Sequence, residues 1–187
     1  MKYLNVPGLN NSGEHHWQTK WESRFPEKFE RVNQLNWATP KKDDWLIGIN
    51  NSIGKLSSPT ILVGHSLGCI SIIHWAKEQF SQWITGALLV APVDIERSKQ
   101  DCFQTFSPVP LTKLPFPSIV VASMNDQYAS IEKAAKYAAY WGSRFICVGE
   151  KGHINAQSNL ENWNEGLTFL EMLSPQPQPV YSRVIPV

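Results

Sequence analysis

Short apolar runs recur along the chain, each bounded by Gly, Pro or Asn, at residues 3–6, 61–63, 87–90, 118–121 and 145–148. They are rich in β-branched residues and nearly continuous rather than alternating, which is the pattern of strands covered on both faces of a parallel sheet. The stretches between them carry helical spacing. In "HHWQTKWESRF", Trp17, Trp21 and Phe25 fall four apart, and in "DDWLIGINNSI" Trp45, Ile49 and Ile53 do the same, so both segments predict amphipathic helices. Residues 67–80, 131–141 and 163–173 complete the helical set, with Ser130 placed to cap the second. Strand and helix in alternation predict an α/β fold, a mostly parallel central sheet with helices on both faces. Aromatic stripes at this spacing are read as core.

Length and charge narrow the picture further. A chain of 187 residues suits one domain with one real core, expected over residues 1–173. The end, "SPQPQPVYSRVIPV", holds four prolines, which predict a flexible extended tail over residues 174–187. A formal charge of +1 supplies no field for nucleic acid or an anionic membrane, so neither is expected as a partner. Cys69, Cys102 and Cys147 are too few and too scattered for a disulfide framework, which favours reduced thiols in the cytoplasm. Pro7 and Gly8 interrupt the N-terminus before a signal-peptide hydrophobic region could form, and no apolar run approaches membrane-spanning length.

One stretch carries candidate chemistry: "TILVGHSLGCISIIHW", in which Gly64, Ser66 and Gly68 make a G-x-S-x-G. Chance alone produces that pattern in roughly 6% of chains this long. Here it directly follows an apolar strand and directly opens a helix, the strand-turn-helix setting of a nucleophile elbow. The glycines let strand and helix approach, the serine hydroxyl projects at the carboxyl end of the sheet, and the backbone N–H of Leu67 is placed to meet an oxyanion. A serine hydroxyl needs an imidazole base and an orienting carboxylate, sought downstream in the order Ser, acid, His. Asp126 in "VVASMNDQY" and His153 in "CVGEKGHIN" both follow predicted strands, so they belong to the same sheet edge as Ser66. Asp94, in "LLVAPVDIE", is the rival acid. His65 should point away from the hydroxyl, His74 lies inside a helix, and adjacent His15 and His16 diverge too far to bind one metal. The loop "PGLNNSG" after the first strand offers a second oxyanion donor, the N–H of Leu9, and has neither phosphate-binding glycine pattern.

Together "VPGLNNSGEHHWQTKWE", "LNWATPKKDDW", "TILVGHSLGCISIIHWA", "GALLVAPVDIE", "LPFPSIVVASMNDQYAS" and "GEKGHINAQSNLENWNEG" resemble the retinoblastoma-binding protein nine family of small serine hydrolases, over about residues 3–173. The resemblance implies a compact, lidless α/β-hydrolase whose Ser, Asp and His fall on Ser66, Asp126 and His153, with esterase or peptidase activity. Many relatives carry Pro after the acid where this chain has Gln127, a change that could loosen the acid loop. The His16-Trp17 pair also looks like a family feature, either a rim element or a helix-start packing element. The expectation is a hydrolase of a small ester or amide that needs no metal or cofactor. The alternatives are a hydrolase scaffold kept for protein binding, and acyl transfer to an alcohol or amine.

Overall fold

The computed structural model describes residues 1–98 and 100–174; the proline-rich tail expected from Ser174 onward lies outside the described residues apart from Ser174 itself. Six strands form one sheet: β1 (Lys2–Val6), β2 (Phe29–Arg31), β3 (Thr60–His65), β4 (Ile84–Val90), β5 (Ser118–Ala122) and β6 (Arg144–Cys147). Their order is β2-β1-β3-β4-β5-β6, and every neighbouring pair is parallel. Among the described residues, five α-helices cover it: α1 (Trp17–Arg24), α2 (Lys42–Ile53), α3 (Leu67–Glu78), α4 (Ile131–Trp141) and α5 (Asn164–Leu173).

The apolar runs are buried on both sides because successive strand residues point to opposite faces. Leu62, Ala87, Leu89 and Val120 pack with Trp45, Ile49, Trp75, Tyr137 and Trp141 from α2, α3 and α4. Ile61, Val63, Leu88, Val90, Ile119 and Val121 pack with Trp17, Trp21, Phe169 and Leu170 from α1 and α5. The tryptophans at helical spacing are therefore core, with Trp17, Trp21 and Trp45 each at most 1% exposed.

Beyond shifts of a few residues at strand ends, such as β4 starting at Ile84, three features differ from the sequence pattern. β2 is a three-residue edge strand, too short to show a period. α3 stops at Glu78, leaving Phe80 in solvent at 79% exposure. Trp163 adopts a left-handed conformation at φ 36° and stands before α5 rather than inside it, where its ring joins the aromatic cluster of Trp17 and Trp21.

The strand order fixes where a site can form. The chain leaves β1 for β2 on one side, then crosses to β3 on the other, so the loops leaving β1 and β3 diverge and open a crevice at the carboxyl ends. Above this crevice the connection from β4 to β5 contributes a 3-10 helix, Asp101–Phe106, whose Phe103 and Phe106 are buried; no separate lid is present among the described residues.

Closeness of β1, β3 and α3 depends on missing side chains. A Cβ on Gly68 would overlap the Val6 carbonyl oxygen, and one on Gly64 would lie 2.8 Å from Ile72 Cδ1 and 3.0 Å from Cys69 Cα. Gly68→Ala is expected to destabilise the fold by at least about 2 kcal/mol, because overlap with main chain outweighs the better helix propensity of Ala. Urea unfolding checks this, and an unchanged midpoint would show that α3 can move away from β1.

Candidate active site

Ser66 links β3 to α3 with φ 54° and ψ −120°. A residue with a Cβ holds such a conformation at a cost of roughly 1–3 kcal/mol, so the surroundings must impose it. They do so through two backbone hydrogen bonds: the Ser66 N–H donates to the Val90 carbonyl at 3.0 Å, and the Cys69 N–H donates to the Ser66 carbonyl at 3.0 Å. Leu67 opens α3, so its N–H has no carbonyl four residues earlier in the helix and stands at the positive end of the helix dipole.

The loop leaving β1 lies against this elbow. The Asn11 N–H donates to the Gly8 carbonyl at 3.1 Å, closing a turn in which Asn10 takes a positive φ of 62°. A Cβ on Gly8 would come 2.9 Å from the Ser66 Cβ, 3.0 Å from the His65 carbonyl oxygen and 3.4 Å from the Leu67 nitrogen. Glycine at this position lets the turn touch the elbow. Among the described residues, no acceptor pairs with the N–H of Leu9, the next residue in that turn.

Asp126 and His153 come together from the loops after β5 and β6. Nδ1 of His153 lies 2.8 Å and 3.0 Å from the two Asp126 carboxylate oxygens, with only 7% and 3% of the two side chains exposed. A neutral imidazole donating Nδ1–H to this carboxylate leaves Nε2 as a proton acceptor. Within the acid loop the Tyr128 N–H donates to Asp126 Oδ1 at 2.8 Å, and the Met124 N–H donates to the Gly149 carbonyl of the histidine loop at 2.8 Å. Asn125 Oδ1 accepts from the Gly152 N–H at 2.7 Å, tying the acid loop to the histidine loop. Gln127 leaves this closure intact.

Ser66 and His153 line one cavity of about 370 Å³, together with Gly8, Leu9, His16 and Tyr128. Val93 and Phe103 form its apolar side, and none of its described lining residues is Asp, Glu, Lys or Arg. Tyr128 packs edge-on against the His153 ring at 4.5 Å between centroids.

The remaining histidines have other places. His65 donates Nε2–H to the His153 carbonyl at 3.0 Å, which holds the histidine loop. His16 caps α1, its Nδ1 accepting from the Gln18 N–H at 3.2 Å, and it also lines the cavity, so the two readings of His16-Trp17 merge. Trp17 donates its indole N–H to the Ile154 carbonyl at 2.7 Å. His74 donates Nε2–H to the Phe106 carbonyl at 2.8 Å, and His15 lies beside Glu14 at the surface. Asp94 is turned to α4, 3.4 Å from Lys133 Nζ, and its Oδ1 accepts from the Glu96 N–H at 3.2 Å. Among the described residues, no group of three or more His, Cys, Asp or Glu is placed to hold a metal ion.

Sequence pattern missed several cavity residues. Gly8 carried a signal, a Pro-Gly step at the end of a strand. Val93, Phe103 and Tyr128 reach the cavity through long-range packing and had none.

An open parallel sheet with its polar cavity at the carboxyl ends, a strained serine on a strand-to-helix turn and a carboxylate-bound histidine together define an α/β-hydrolase fold. The serine hydrolase family pattern matches residues 3–172, and the chain belongs to that family. Among solved structures, a protein of Pectobacterium atrosepticum described as a YdeN-like hydrolase is similar at 34% identity and TM-score 0.83, covering 93% of this chain and 92% of that one. The ydeN gene product of B. subtilis is similar in fold at 19% identity and TM-score 0.74, covering 92% and 98%. Mouse alpha/beta hydrolase domain-containing protein 10 is similar in fold at 14% identity and TM-score 0.68, covering 92% and 88%. Among curated proteins, none matches the chain.

His16 and His65 make stability pH-dependent. Burial is the main cause that lowers both, His16 to about 3, with the Arg31 charge next, and His65 well below its ordinary value, with His16 next. His16 is neutral in the folded protein at pH 5 and burial holds His65 neutral below its ordinary range, whereas the unfolded chain protonates both below about pH 6.5. The unfolded state then binds more protons, so stability falls as pH drops from about 6.5 towards 4, by up to about 1.4 kcal/mol per pH unit for each histidine. Urea titrations across that range check the slope; a flat profile would contradict the neutral assignment.

Proposed function

We propose that this serine hydrolase cleaves a small ester or amide through an acyl-enzyme, with Ser66, His153 and Asp126 as its triad. The observation that carries the reading is the His153 imidazole held at Nδ1 by both Asp126 oxygens, beside a strained Ser66 in the same cavity.

In the first step the Ser66 Oγ bonds to the substrate carbonyl carbon while its proton passes to His153 Nε2, and the carbonyl π pair moves onto oxygen. The Asp126 carboxylate stabilises the imidazolium that results. The N–H groups of Leu67 and Leu9 receive the oxyanion, where each such donor contributes roughly 10²–10³ in turnover. The oxyanion pair returns, the bond to the leaving group breaks, and His153 gives its proton to the departing oxygen or nitrogen. Water, deprotonated by His153, then repeats the sequence on the acyl-enzyme and releases Ser66 and the acid.

The cavity's size and uncharged lining support a short, uncharged acyl group held against Val93 and Phe103. A closer kinship to the retinoblastoma-binding protein nine proteins belongs to the same reading and rests on the sequence motifs. A cytoplasmic setting is part of it too, supported by three cysteines that form no pair; in addition, no described helix is long and apolar enough to cross a membrane.

A fluorophosphonate probe is expected to label the protein at one site and to leave Ser66→Ala unlabelled; labelling that persists in Ser66→Ala overturns the nucleophile. On a p-nitrophenyl ester, Asp126→Asn should lose on the order of 10⁴ in kcat by holding the wrong imidazole tautomer. Asp94→Asn should stay within about threefold, since its carboxylate faces Lys133. The reverse ranking would make Asp94 the acid.

A further inference from the structure

The N–H groups of Leu67 and Leu9 come from different elements, so their spacing has to be set by something other than the elbow. The loop that carries Leu9 is held by a polar cluster between β1, β2 and α1, and at its centre stands Arg31, the last residue of β2.

All five N–H bonds of the Arg31 guanidinium are used. Nε donates to Glu22 Oε1 at 2.9 Å and Nη2 to Glu22 Oε2 at 2.8 Å, a two-pronged pair with α1. The second Nη2 hydrogen goes to Thr19 Oγ1 at 2.6 Å. Both Nη1 hydrogens go to the loop itself, one to Asn11 Oδ1 and one to the Ser12 carbonyl, each at 2.8 Å. Only 19% of the Arg31 side chain and 21% of the Glu22 side chain are exposed, so this is not a screened surface pair.

A second tie runs from the same loop to the strand that carries the nucleophile. Ser12 Oγ donates to Gln18 Oε1 at 2.6 Å, and Gln18 Nε2 donates to the Val63 carbonyl at 2.9 Å, three residues before Ser66. Gln18 is 0% exposed. Asn5 adds a third tie from β1, donating to Glu22 Oε1 at 2.7 Å. The loop is thus referenced to β1, β2, β3 and α1 at once, and Asn11 and Asn10 are pinned in positive-φ conformations at its bend.

We propose that Arg31 is a positioning residue for oxyanion stabilisation: it clamps the loop so that the Leu9 N–H stays beside the Leu67 N–H. Arg31 lies outside the cavity lining and acts through Asn11 and Ser12. The proposal rests on the reading of Leu9 and Leu67 as the oxyanion donors. It assigns the planar five-donor geometry a purpose that a lysine cannot serve, since an ammonium has three donors and no fork.

Arg31→Met, Arg31→Lys and Asn11→Gly test it, the last keeping the positive φ while removing the cavity-lining side chain whose Oδ1 accepts from both Arg31 and the Ser12 N–H, a smaller change to the fold than loss of the arginine. Active sites are counted with a fluorophosphonate, kcat and KM are measured on p-nitrophenyl acetate, and Ki is measured for an alkyl boronic acid, whose serine adduct places an oxygen in the oxyanion position. Arg31→Met should lower kcat per counted site by roughly 10–100-fold, a fraction of losing a donor outright, with KM within about threefold. Arg31→Lys should recover only part of this, and Asn11→Gly should lose roughly 5-fold or more. The boronate Ki should weaken by the same factor as kcat in every variant. A fall in total activity with unchanged kcat per counted site and unchanged Ki would mean the cluster only stabilises the fold, and would overturn the proposal. Failure of the wild type to react with fluorophosphonate would instead sink the serine hydrolase reading beneath it.

Discussion

The contact between the start of α3 and the end of β1 is the constraint on which the site depends. No Cβ fits on Gly68 against the Val6 carbonyl, none fits on Gly64 against α3, and none fits on Gly8 against Ser66. With those three side chains absent, β3 turns into α3 in a single residue, and the turn has to adopt φ 54° at Ser66. Packing on both faces of the sheet supplies the energy that holds this strained residue. The same contact brings the loop after β1 against the elbow, so that Gly8 meets Ser66 and Leu9 lines the cavity beside it.

The rest of the site is held together by hydrogen bonds between loops rather than by bulk. The acid and histidine loops are laced through Ser123, Asn125, Met124 and Gly149, so the Asp126–His153 pair arrives as one unit. Behind it the His16, His65 and His153 rings pack at steep angles, with centroids 4.7 Å and 4.9 Å apart. Two of these imidazoles are kept neutral by burial, so they support the third without competing for its proton.

Features set by local pattern were legible in the sequence. Continuous β-branched runs marked five of the six strands, and four-residue apolar spacing marked α1 and α2, because burial on a parallel sheet leaves a period that composition cannot hide. The glycines flanking Ser66 announced close packing, and the strand-helix context gave them a place. β2 was missed because three residues carry no period, and with it went Arg31, whose four partner residues lie on two other segments of the chain. Asp94 and Asp126 looked alike in sequence, each an acid after a strand. The difference between them is tertiary: one carboxylate meets Lys133 on α4, the other meets His153.

The most direct test of the account is the site and stoichiometry of acylation. Rapid mixing with excess p-nitrophenyl acetate should release a burst of one p-nitrophenol per chain, and acid quenching during the burst should leave a single acetyl group on the peptide that contains Ser66. A burst whose acetyl group resides on any other residue, or one that survives in Ser66→Ala, would contradict it.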